Sequence, residues 1–172
     1  MVEEFFNALE RAVAERNWYA ALTLALTLPD ICAQAEQPGT RTSGRHYKAW
    51  VEKHVVPAYT RNVGYPPVSM VFLSADDCYA LRCALLHGGS ADIESQTARK
   101  ILKDFIFLTP GRQAISWHLN RKDDSLILMV DEFATDVLRA AQAWWRSLGI
   151  EQKQAAQGPL ISLTDADLVE GI

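Results

Sequence analysis

LSADDCYALRCALLHGG, residues 73–89, reads as a single helix whose start and stop are both written into it. Ser74 stands three residues before Asp77, the Ser-x-x-Asp spacing of a capping box, in which the serine oxygen receives a first-turn amide and the acid reaches back. Gly88-Gly89 supplies the stop. Between them, at about 100° per residue, Cys78, Tyr79, Leu81, Leu85 and Leu86 share one side with Arg82 in their midst. Ala80, Cys83 and Ala84 take the other side. A helix apolar all round is expected to be buried. The Arg82 guanidinium must therefore meet a carboxylate, open on a wet cleft, or wait for an anionic ligand.

Outward from this helix, the N-terminal half is a succession of amphipathic segments. Val2, Phe5, Leu9, Ala12 and Val13 share one face, and a second run follows Asn17 through Trp18, Leu22, Leu26 and Leu28 until Pro29 breaks or kinks it. PGTRTSG, from Pro38, is a loop by composition. Tyr47, Trp50, Val51, His54, Val55 and Ala58 mark a third helix, bent near its end by Pro57, and GYPPV from Gly64 is a turn. Beyond residue 90, Ala91 to Asp104 is helical by pattern, and then the period changes. Phe105 to Thr109 is β-prone; Ile115, Trp117 and Leu119 alternate with Ser116, His118 and Asn120; Leu126 to Val130 is an apolar partner strand. A last helix, opening at Asp131 or Thr135, runs through Val137, Leu138, Ala141, Trp144 and Trp145 to Gly149. The expected architecture is mainly α: one helical domain over residues 1–150, with a small antiparallel β insert at about 105–130 before the last long helix. Residues 151–172 are expected to form a mobile or loosely docked acidic tail.

With 172 residues, 49% of them hydrophobic, the chain can bury the core of one domain. Cys32, Cys78 and Cys83 are an odd number without framework spacing, which fits reduced thiols. The acidic opening MVEEFFNALERAV lacks a signal-peptide pattern, and the apolar run Tyr19 to Leu28 is too short for a bilayer. A soluble, cytoplasmic protein without membrane contact is the expectation. A net charge of -4 argues against unspecific coating of nucleic acid. The charges are nevertheless uneven: Arg41, Arg45, Lys48, Lys53 and Arg61 face only Glu52 between positions 41 and 61, while the tail from Glu151 is acidic. Arg41, Arg45 and Lys48 are thus candidate phosphate-binding residues, with a solvated helix face as the plainer reading of the same charges.

Most other constellations carry little chemistry. Cys78 and Cys83 are wrongly spaced for a zinc knuckle, and His54 belongs to an apolar face. No Walker loop or Rossmann fingerprint occurs, so neither a metal nor a cofactor is expected. His87 is different, since it follows Arg82 by five residues at the helix C-terminus, where the dipole favours an imidazolium. On an ideal helix the two side chains point about 140° apart. They converge only if the last turn unwinds or if a second copy completes the site.

Arg82-Cys83-Ala84-Leu85-Leu86-His87 resembles the arginine, four residues, histidine signature of HEPN domains. The resemblance covers roughly residues 18 to 90, together with blocks such as LPDIC, and excludes the β-rich insert. It implies an all-α bundle, a homodimer with the motif at the interface, and metal-independent cleavage or binding of single-stranded RNA. In that role Arg82 would hold phosphoryl oxygens and His87 would relay a proton, with Asp30 and Asp77 supporting them; the position after the arginine, polar in many catalytic members, is here Cys83. The alternatives are a non-catalytic interaction module or one half of a toxin–antitoxin pair with a protein partner. In the plainest reading Arg82 simply pairs with Asp30, Asp76 or Asp77 to tie two helices together.

Overall fold

The apolar stripes expected of the N-terminal half become three helices. A computed structural model describes residues 2–37, 43–87, 104–111, 115–123 and 125–156. In it α1 spans Val2–Ala14, α2 Trp18–Glu36 and α3 Gly44–His54. Val2, Phe6, Leu9 and Ala12 of α1 are buried, a three- and four-residue spacing that makes one face. Asn17 starts α2 by accepting the Ala20 amide on its side chain at 3.3 Å. Pro29 lies buried within α2, and the helix continues for two further turns beyond it. Asp30 is accordingly a mid-helix residue. Pro57 does bend the chain after α3: Val56–Tyr59 is a single 3₁₀ turn.

The capping box of the opening stretch is formed. Asp77 Oδ2 accepts from the Ser74 amide at 2.9 Å and from its hydroxyl at 2.7 Å, and Ser74 Oγ accepts from the Asp77 amide at 3.1 Å. Helix α4, Ala75–His87, follows. It packs on α2 and α3. Ala75, Cys78, Leu81 and Ala84 are buried, whereas Leu85 and Leu86 are 37% and 42% exposed. The apolar final turn is therefore not covered as an all-apolar helix would lead one to expect.

Among the described residues, two small sheets accompany the helices. Thr60–Val63 (β1) and Val68–Val71 (β2) pair antiparallel across the GYPP turn, where Gly64 adopts φ +81°, so this segment is a hairpin and not only a turn. Phe105–Leu108 (β3), Arg121–Lys122 (β4) and Ser125–Met129 (β5) form the second sheet in the order β3-β5-β4. The insert is antiparallel between β4 and β5, though β4 falls at Arg121–Lys122 rather than at Ile115–Leu119, and β3 joins the other edge of β5 in parallel, Phe105 opposite Leu126. Ile115, Trp117 and Leu119 do not form the expected strand. Leu119 has φ +60°, which breaks the alternation; Ile115 and Trp117 are exposed, and His118 turns inward in their place. The expected helix from Ala91 lies outside the described residues apart from its last position.

Without an intervening loop, β5 runs into α5, Val130–Ser147, whose stripe of Phe133, Ala134, Val137, Leu138, Ala141, Trp144 and Trp145 is buried. Ile150–Ala156 (α6) then docks on α2, which also packs against α1, α3, α4 and α5. The architecture is mainly helical around α2. No described helix is long and apolar enough to cross a membrane.

Candidate functional site

Arg82 meets Asp30. Its Nε donates to Asp30 Oδ2 at 2.9 Å, tying α4 to the middle of α2, and the two side chains are 24% and 26% exposed. Burial raises the Asp30 carboxyl above its usual range even though Arg82 opposes the shift, while Asp30 raises the Arg82 guanidinium against its own burial. The pair is therefore strongly coupled yet only partly desolvated. Of the carboxylates that the sequence offered to Arg82, Asp30 is the one engaged. Asp77 is committed to the cap of α4, and Asp76 pairs with Lys48 Nζ at 3.0 Å.

Helix α3 positions the rest of this face. Tyr47, buried, donates its hydroxyl to the Leu26 carbonyl at 3.0 Å and reaches the Cys78 carbonyl at 3.5 Å, so one phenol joins α2, α3 and α4. Lys48, one residue on, places its ammonium 5.8 Å from the centre of the Tyr79 ring. Burial, then the neighbouring Cys83 thiol, raise the Tyr79 hydroxyl, which also feels Arg82. Tyr79 also fixes where α3 begins: a Cβ on Gly44 would come within 2.5 Å of the tyrosine Cζ. Tyr79 thus joins Lys48 and Arg82 on one surface, a role its place among apolar helix positions concealed.

His87 is the last residue of α4. Its side chain, Gly88-Gly89 and Arg41 lie outside the described residues. Arg45 is exposed on the first turn of α3, and its pairing with Arg82 in one site is not seen. Among the described residues no group of three or more His, Cys, Asp and Glu is arranged to hold a metal ion.

Two further clusters were not legible from spacing. His118 accepts the Met129 amide on Nδ1 at 3.1 Å, its Nε2 lies 3.9 Å from Asp136 Oδ2, and Tyr59 donates to the same oxygen at 3.4 Å. In the other, Glu36 Oε1 accepts from the Trp144 indole at 2.8 Å and lies 3.8 Å from His54 Nε2. The residues of each come from distant parts of the chain, so no local pattern announces them.

Set against protein-family models, curated proteins and solved structures, the chain matches none.

Proposed function

We propose that this chain is a HEPN-like protein that binds single-stranded RNA through Arg82 and cuts it without a metal ion, His87 relaying the proton and two copies completing the site. The observation that carries this reading is the manner in which Asp30 holds Arg82. A guanidinium has five N–H donors in a planar fork, and the contact to Asp30 uses Nε. Cys83 also hydrogen-bonds to the guanidinium, and the donors beyond these two contacts face phosphoryl oxygens from a side chain still open to solvent by about a quarter. One helical turn further, Leu85 and Leu86 flank Arg82 and are exposed, an apolar patch suited to a second copy at the motif.

The reaction is a transesterification. The ribose 2'-oxygen bonds to the adjacent phosphorus and gives its proton to one imidazole, while the bond from phosphorus to the 5'-oxygen breaks and that oxygen takes a proton from the other copy's imidazole. Arg82 stabilises the charge that develops on the non-bridging oxygens. Cleavage should persist in excess EDTA and leave a 2',3'-cyclic phosphate; DNA, lacking the 2'-hydroxyl, should survive. His87→Ala should lower the rate by about 10² to 10⁴, Arg82→Lys should fail as well, and Leu86→Glu should yield an inactive monomer. RNA left intact by a folded, dimeric parent protein, or cut equally by His87→Ala, rejects the nuclease. In that event the second reading holds, a non-catalytic interaction module or toxin–antitoxin half; the ion pair of Arg82 with Asp30, which ties two helices, favours it.

A further inference from the structure

The last turns of α2, α3 and α5 converge on a pocket of about 540 Å³, flanked by α6 and open to solvent. Glu36 ends α2, His54 ends α3 and Ser147 ends α5, and all three line it together with Lys53, Trp144 and Gln152. Its size is that of a small-molecule site. Its polar groups are fixed in place. The Trp144 indole N–H holds Glu36 Oε1 at 2.8 Å, whereas Glu36 Oε2 receives no hydrogen bond from the described residues. His54 is stacked 4.8 Å from the Trp50 ring, and its Nε2 is closed off from solvent without a hydrogen-bond partner. Desolvation, then Lys53, lower the His54 imidazole, which favours its neutral form at pH 7.

Glu36 and Lys53 bring one formal charge of each sign to this pocket, and the helix ends set the balance. Each helix C-terminus carries a partial negative charge of roughly half a unit, and three of them meet here beside the Glu36 carboxylate. Lys53 is the cation on the lining, on a flexible stem at the helix end. An anion entering would meet a carboxylate where three helix C-termini converge; a cation would find a pre-positioned acceptor with Leu148 and Ala155 beside it.

We propose that this pocket binds a small organic cation, an alkylammonium or alkylguanidinium group, with its charge on Glu36 and its carbon chain along Leu148 and Ala155. The site is separate in its residues from Arg82 and does not depend on RNA chemistry there. The test uses the full chain at pH 7 with butylguanidinium and butylammonium, against butyrate as a probe of equal length and opposite charge, followed by calorimetry and tryptophan emission. Both cations should bind saturably at one site and butyrate should not. Glu36→Gln keeps an acceptor for the indole but loses the charge, and should weaken binding about tenfold or more. Lys53→Glu should tighten it. Butyrate binding as well as the cations, cations that never saturate, or Glu36→Gln binding unchanged overturns the proposal. Should Glu36→Gln not fold, Lys53→Glu decides: tighter binding supports the site, and unchanged or weaker binding overturns it.

Discussion

Removing the Arg82 guanidinium would leave Asp30 three-quarters buried with no cation facing it. Exposed ion pairs contribute about 0 to 1 kcal/mol, and breaking a fully buried one costs about 3 to 5 kcal/mol. A pair open by a quarter falls between, so Arg82→Ala should cost roughly 1 to 3 kcal/mol in urea denaturation. Asp30→Asn should recover part of that loss in the double variant, because the stranded charge is gone. Unchanged stability in Arg82→Ala would mean that the bridge is not structural. At His118 the expectation concerns pH. Its Nδ1 accepts a backbone amide, so protonation there would break that bond, and burial lowers its pKa. The unfolded chain then takes up a proton at about 6.5 that the folded chain refuses. Stability from this residue is complete above pH 6.5 and declines as pH falls toward the lowered folded value. His54 adds a decline of the same sign. The melting temperature should therefore drop between pH 7 and 5, and less steeply in His118→Asn, whose amide oxygen can still accept from Met129. An equal slope in that variant would exclude the mechanism.

Among the elements, α4 was the most legible because its signals are local. Ser74 and Asp77 lie one turn apart, and the box they form follows from their spacing. Asp77→Ala removes the acceptor for both Ser74 donors and should cost about 1 kcal/mol, measured as a shift of the denaturation midpoint at constant slope; a shift near zero would show that Ser74 alone suffices. The strands were harder to read. The segment Ile115–Leu119 alternates as a strand should, but with a positive φ at Leu119 both His118 and Leu119 pack inward while Ile115 and Trp117 stay exposed, and composition does not encode that dihedral. The hairpin of β1 and β2 is exposed along nearly its whole length, so burial imposes no alternation on TRNV and VSMV for a reader to find. The parallel pairing of β3 with β5 joins residues about twenty positions apart in sequence, beyond any local signal. The apolar run of β5 did carry its message: a strand paired on both edges and buried on both faces reads as continuous hydrophobics.

At the scale of the molecule, α2 is the member that every other described α-helix touches, a central place that its reading as one amphipathic segment ending near Pro29 did not assign. The candidate site was legible in part. Asp30 was one of three acids that could serve Arg82, and only the packing of α4 on α2 selects it. The pocket of Glu36, His54 and Trp144 was not legible, since it exists only once three helix ends meet. The three thiols turn this layered burial into a clock. Cys32 and Cys78 are 0% and 3% exposed, and desolvation raises both thiols; Cys83, beside Arg82, is half-buried. Because alkylation requires an accessible thiolate, a pulse of iodoacetamide on the native protein should add one carbamidomethyl group at Cys83, and denaturant should release the other two. Peptide masses would then separate local fraying of α4 from global unfolding, and Cys78 reacting as fast as Cys83 would show that the helix peels away from the core as a unit.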